Sequence, residues 1–144
     1  MRMTVIDATG HVVGRFASVV AKRLLNGEDI VVVHAEKAIL TGRRSTILTE
    51  YTAKRRRGSV TSRMRGIGPF YPRRPDLILR RTISRMLPYQ KPRGREALKR
   101  LRVYMDLPEA YKGQVLEIIE VAKRLPQGPT LSLGEVSRNL GSKF

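Results

Sequence analysis

Between Lys54 and Pro75 the chain reads KRRRGSVTSRMRGIGPFYPRRP: eight lysines and arginines in 22 residues, no acid, three glycines, three prolines and the pair Phe70–Tyr71. The chemistry open to such a set is the binding of a polyanion. Guanidinium groups meet phosphates through two parallel hydrogen bonds and also stack on planar bases. Glycines let a backbone approach its partner closely, and prolines limit the entropy lost on ordering. Phe70 and Tyr71 can stack on exposed bases, or one of them can pack locally instead. Regular pairing cannot satisfy this backbone, and the uncompensated cations repel one another. The stretch is therefore expected to order only on its partner.

Residues that catalyse are scarce by comparison. The only histidines are His11 and His34, and there is no cysteine. Disulfides, thiolate catalysis and Cys-ligated zinc are thereby excluded. His11 falls in an expected turn, and His34 ends a strand that reads as buried, where a structural role is expected. Asp7, at the end of the first strand, suits a turn or cap better than general acid–base work. The run GHVVG (10–14) has two glycines near a helix start but lacks the glycine spacing of either phosphate cradle, dinucleotide or P-loop. No metal, cofactor or small-molecule substrate is expected, and the chain does not read as an enzyme.

The distribution of charge sharpens this. The formal net charge is +17, and 21 of the 29 basic residues are arginine. From Arg43 to Arg102 there are 19 basic and 3 acidic residues, whereas residues 1–42 hold five and four, and residues 103–144 hold five of each. A merely soluble surface would intersperse the two signs. One concentrated basic segment between nearly neutral ends implies nucleic acid. Arg80, Arg81 and Arg85 lie on a regular amphipathic segment, so they are either phosphate contacts or a solvated face.

The elements that must carry these residues follow from periodicity. MTVID (3–7) reads as a strand, and GRFASVVAKRLLNG as a helix whose Phe16, Val19, Val20 and Leu24 share a face and which stops at Asn26–Gly27. DIVVVHA (29–35) is a continuous β-branched run, as in a strand of a parallel sheet buried on both faces, which completes a βαβ unit. KAILTG (37–42) is a further short strand, and Ile47, Leu48 and Tyr51 predict a helix leading into the basic stretch. PDLILRRTISRMLP predicts an amphipathic helix with Leu79, Ile83, Met86 and Leu87 on its apolar face. GREALKRL suggests a short helix and RVYMD (102–106) a strand. GQVLEIIEVAKRL has helical spacing but β-branched content, so helix, strand and extended arm all stay open. SLGEVSRNLG closes the chain as a short helix, with Ser132 and Glu135 as a capping box. With 41% hydrophobic residues in 144, a single α/β domain is expected over 1–144, with a basic extension at about 54–75. There is no apolar run near 18 residues and the first residues are polar, so a cytosolic protein without a membrane partner is expected.

Six short motifs occur in order: GRFAS (14–18), VVVHAEKAILTG (31–42), RMLP (85–88), RGREAL (93–98), LRVY (101–104) and LGEVSRNLG (133–141). Together they resemble the L-thirteen family of large-subunit ribosomal proteins, and GPFYPRRP with the closing motif is similar to its archaeal and eukaryotic branch. The resemblance implies a three-layer α/β/α domain around a four-stranded parallel sheet. It also implies a cytoplasmic structural protein of the large ribosomal subunit that binds its ribosomal RNA, contacts neighbouring large-subunit proteins and supports early assembly. The matching basic positions are Arg43, Arg44, Lys54, Arg55, Arg56, Arg57, Arg63, Arg65, Arg73, Arg74, Lys91, Arg93 and Arg95, with Phe70 and Tyr71 among them; Arg80, Arg81 and Arg85 join the candidate RNA contacts from their helix face. The chain departs from the family at Arg85, where many members have glycine, and at His34, where asparagine or another residue is common. The alternative is a free RNA-binding regulator of translation, which would sediment partly apart from large subunits.

Overall fold

The β-branched run at Asp29–Val33 (β2) lies at the centre of a parallel sheet, paired with β1 (Met3–Asp7) on one side and β4 (Leu101–Val103) on the other. Met3 is in register with Asp29, and Ile30 with Leu101. The computed structural model describes residues 3–57, 69–123 and 126–144. Side chains alternate across β2. Ile30 and Val32 join Ile6 against helices α1 (Val13–Leu25) and α3 (Pro75–Met86), where Phe16, Val20, Leu24, Leu79 and Ile83 are fully buried. Val31 and Val33 join Val5 on the opposite face, under Tyr111 and the half-buried Tyr104, Leu107 and Leu116. The βαβ unit is thus where the hydrophobic pattern places it.

The sheet has three parallel strands among the described residues, where the resemblance implies four. A fourth position survives as one parallel bridge at the β1 edge: the Glu117 N–H donates to the Val5 carbonyl at 2.9 Å, and the Asp7 N–H to the Glu117 carbonyl at 3.0 Å. Arg23 of α1 holds this point through a two-pronged ion pair to Glu117, at 2.6 and 3.1 Å. The ladder cannot continue, because the chain enters the short helix α5 (Glu120–Lys123) three residues later. Of the apolar set read in this segment, Ile119 and Ala122 are buried while Val115 and Ile118 are exposed. The second outer layer also differs from a helical one. Residues 104–116 cover it, and their one described helical element is a 3-10 turn at Glu109–Tyr111.

The remaining elements brace the basic segment. The predicted strand at 37–42 forms as β3 (Ile39–Thr41), but it pairs antiparallel with β5 (Thr130–Ser132), outside the parallel sheet. Helix α6 (Leu133–Asn139) follows at once, with Ser132 Oγ accepting from the Glu135 N–H at 3.3 Å as the capping box requires. Helix α2 (Arg44–Arg56) rests on this unit through Ile47, its one buried side chain, which packs with Leu131 and Val136. Helix α4 (Pro92–Lys99) packs on α1.

Both histidines are structural. His34 ends β2 in the left-handed region (φ 53°), and its Nδ1 donates to the Asp7 carboxylate at 3.1 Å. The Thr9 N–H and hydroxyl donate to the same oxygen. Burial alone would raise the Asp7 pKa, but these hydrogen bonds and the His34 ring outweigh it and hold the carboxyl below its ordinary value. His11 is fully buried, with Nδ1 against the Thr9 carbonyl and Nε2 against the Ile119 N–H, each at 3.1 Å. A carbonyl only accepts and an amide only donates, so the ring must be neutral with its proton on Nδ1. Burial accordingly pulls its pKa below the usual value.

Two predictions follow from this packing. A Cβ at Gly94 would lie 2.1 Å from the Pro88 carbonyl oxygen. Helix propensity alone would make Gly94→Ala stabilising by about 1 kcal/mol. The clash should instead destabilise by about 1–3 kcal/mol, read as a lower thermal midpoint. The second concerns pH. Native His11 binds fewer protons than the unfolded chain, so its contribution is intact above the unfolded pKa of about 6.5 and is lost as pH falls below it. Asp7 loses its contribution in a lower window, below the ordinary carboxylate pKa of about 3.9, whereas Glu36, pushed up by burial, titrates in the opposite sense. The urea midpoint should therefore drop between about pH 8 and pH 5, and His11→Gln should flatten that slope.

Candidate nucleic-acid interface

The basic residues are carried by three helices and the segment before α3. Arg43 is the N-cap of α2 and Arg44 its first residue, while Lys54, Arg55 and Arg56 form its last turn and Arg57 caps it. Cations in the last turn complement the helix dipole, whereas those at the N-terminus oppose it. Arg80, Arg81 and Arg85 lie on α3. Lys91 is the N-cap of α4, with Arg93 and Arg95 in its first turns. Neither α2 nor α4 has an acid in its first turn. Arg63 and Arg65 lie outside the described residues.

Of the described basic candidates, only Lys54 and Arg81 are partly covered, and the rest are exposed. Some have partners: Arg44 with Glu135 at 3.2 Å, Lys54 with Glu50 at 2.7 Å, and Arg74 with Asp76 at 3.0 Å. The side chains of Arg43, Arg57, Arg73, Arg80, Arg85, Lys91, Arg93 and Arg95 make no hydrogen bond or ion pair with any described residue. Exposed pairs of this kind contribute little to stability. The charge is therefore not spent on holding the fold together.

Residues 54–57 and 69–75, the two ends of the basic stretch, are described, while residues 58–68, on which the expectation of ordering on a partner also falls, lie outside the described residues. Residues 54–56 belong to α2, and residues 69–74 run along α2 and α3, held by arginine side chains that replace regular backbone pairing. Arg55 Nη1 donates to the Tyr71 carbonyl at 2.6 Å, and Arg81 Nη1 to the Phe70 carbonyl at 2.8 Å. The Ser137 hydroxyl donates to the Arg73 carbonyl. The Arg81 guanidinium lies 4.4 Å from the centre of the Tyr71 ring, close enough for a cation–π contact. Of the aromatic pair, Tyr71 packs locally and Phe70 is exposed.

Between α2, residues 71–72 and α3 lies a cleft of about 380 Å³. Tyr51, Lys54 and Arg55 face it at i, i+3 and i+4 on α2, and Ile78, Arg81, Thr82, Arg85 and Met86 form one stripe on α3. This explains Met86, which the sequence places on the apolar face but which is 44% exposed: its stripe borders the cleft and not the core. Tyr51 was not among the sequence candidates. Its spacing to Lys54 and Arg55 is the signal that marks it, and burial raises its phenol pKa, so it is a neutral hydrogen-bonding group. Arg43, Arg44, Lys91, Arg93 and Arg95 do not line this cleft. Among the described residues, no group of histidines and carboxylates could hold a metal, and no helix is long and apolar enough to cross a membrane.

The family profile described as ribosomal protein L13 matches residues 1–110. The chain is 49% identical over 145 residues to the large ribosomal subunit protein uL13 of Methanosarcina barkeri, covering 99% of this chain and 100% of that one. It is 48% identical over 143 residues to the protein of the same name from Methanocaldococcus jannaschii, and 46% over 144 residues to that of Methanococcoides burtonii. Both matches also cover 99% of this chain and 100% of the relative.

If Arg81 holds residues 70–72 in place, Arg81→Ala should speed chymotryptic cleavage at the Phe70–Tyr71 bond by about 2- to 10-fold, the worth of one such hydrogen bond. The thermal midpoint should move by only a few degrees. Unchanged cleavage would show that the segment is held by other contacts.

Proposed function

Because the chain belongs to the ribosomal protein L13 family, we propose that it binds large-subunit ribosomal RNA and supports early assembly of the large subunit, beside neighbouring large-subunit proteins. Membership makes it a structural protein of the ribosome and not an enzyme, with its place in the cytoplasmic large subunit. The observation that carries the RNA reading is a set of exposed cations whose side chains have no partner among the described residues: Arg43 and Arg57 at the two ends of α2, Arg80 and Arg85 on α3, and Lys91, Arg93 and Arg95 at the start of α4. A fold gains nothing from cations at helix N-termini, where each costs about 0.3–1 kcal/mol against the dipole. An incoming phosphate reverses the sign of that interaction and adds backbone N–H donors at the same place. Arg43 with Arg44, and Lys91 with Arg93, stand at such ends.

The binding is electrostatic and shape-directed. Double-helical RNA offers phosphates and 2′-hydroxyls more readily than base edges, and arginines projecting from rigid helices match that surface. The proposed contacts are the sixteen cations of the sequence reading, with Phe70 and Tyr71 available to unpaired bases. The βαβ unit carries α3 and α4 through α1, and the β3–β5–α6 unit carries α2.

The test is the salt dependence of binding to a large-subunit RNA fragment. With about 6–10 phosphate contacts, affinity should fall by about 10³–10⁵ between about 50 and 200 mM salt. The triple substitution Arg80→Gln, Arg85→Gln, Arg95→Gln should reduce the logarithmic slope by about 2–3 while leaving the thermal midpoint nearly unchanged. A slope that the substitutions do not alter would remove these helices from the interface.

A further inference from the structure

The cleft between α2 and α3 combines apolar walls with a rim of cations. Tyr51, Tyr71 and Met86 contribute to its walls, and Lys54, Arg81 and Arg85 to its basic rim, with no acid in the lining. Two of the cations already lie against aromatic rings: Arg81 on Tyr71, and Lys54 at 5.1 Å from the centre of Tyr51. Arg85 has no partner among the described residues. Phosphate binding alone does not need apolar walls, since phosphates are met equally well on a convex surface. A duplex cannot use them either, because its bases are stacked on one another and offer no free face. A volume of about 380 Å³ lies in the range of small-ligand sites and is far too small for a protein segment. A planar group carrying one negative charge satisfies both the walls and the rim.

We propose that this cleft receives a single unstacked nucleotide of an RNA strand, its base between the tyrosine walls and its phosphate on Arg85. The assignment rests on the RNA-binding reading and adds to it a point of contact that duplex shape alone does not supply. Arg81 is a positioning residue, tied to the Phe70 carbonyl and the Tyr71 ring, so that one wall is set before the nucleotide arrives. Base–aromatic stacking of this kind tolerates any base, so the site reads the unpaired state of the nucleotide more than its identity.

The experiment compares the full chain binding to a single-stranded oligoribonucleotide of about ten nucleotides and to an RNA duplex of about 16 base pairs. Tyr71→Ala should weaken single-strand binding by about 5- to 100-fold and leave duplex binding unchanged within about 2-fold. Tyr71→Phe should restore single-strand binding. Met86→Trp, which fills the cleft from α3 without touching the loop, should reproduce the selective loss. Equal effects on strand and duplex, or none on either, would overturn the nucleotide site while leaving RNA binding standing. Failure of the unaltered protein to bind either RNA at about 50 mM salt would overturn the RNA reading itself. Uridine monophosphate alone should compete only at about millimolar concentration; tight binding of the free nucleotide would overturn the assignment to a strand.

Discussion

Like-charge repulsion is the constraint to which the rest of this structure answers. Sixty consecutive residues, 43–102, carry 19 basic and 3 acidic side chains. Unit charges 4 Å apart interact by about 1 kcal/mol in water and about 4 kcal/mol near a protein surface. Screening extends over about 8 Å at physiological salt, so neighbouring arginines feel one another and distant ones do not. The fold keeps the charge spread over three helices on a nearly neutral frame. Ile30, Val31, Val32 and Val33, all buried, anchor the centre of that frame, and the helices that carry the charge attach to it by narrow apolar faces. Hydrophobic burial of about 1.5–3 kcal/mol per large side chain exceeds the repulsion between well-separated surface cations.

Arginine also solves a problem that its own charge creates. Residues 69–74 cannot join a ladder, and their carbonyls need donors. Arg55 and Arg81 supply them, each reaching from a helix to the loop. Lysine would serve less well, because a guanidinium can donate to a carbonyl, lie over a ring and still present nitrogens outward. The same two side chains therefore fix the loop and shape the cleft.

Much of this was legible from the residues. A period of 3.6 placed α1 and α3, each burying one apolar stripe, and the continuous β-branched run placed β2, which is buried on both faces. Ser132 and Glu135 marked the start of α6 because a cap is a local hydrogen bond. What was not legible depended on contacts far apart in sequence. The partner of β3 lies about ninety residues downstream, in β5, and no local pattern says whether two short strands pair parallel or antiparallel. The fourth strand shrank to a bridge at Glu117 because a surface ion pair to Arg23 and an early helix took over the edge. His11 read as a turn residue, since its buried partner, the Ile119 N–H, is 108 residues away. In the interface, charge named the cations, but only the tertiary fold shows that Tyr51, Tyr71 and Met86 meet.

The attachment of α2 has a bearing on when the protein becomes competent. Its single buried side chain, Ile47, packs against Leu131 and Val136, and β3 just before it is paired by β5. Those partners are synthesised long after α2 itself. As the chain emerges N-terminus first, β1, α1 and β2 can collapse early, but the one buried side chain of α2 lacks its Leu131 and Val136 cover until residues 130–136 arrive. The first arm of the basic surface is thus locked by a segment made well after it. A nascent copy without residues 130–136 would carry the charge without the geometry.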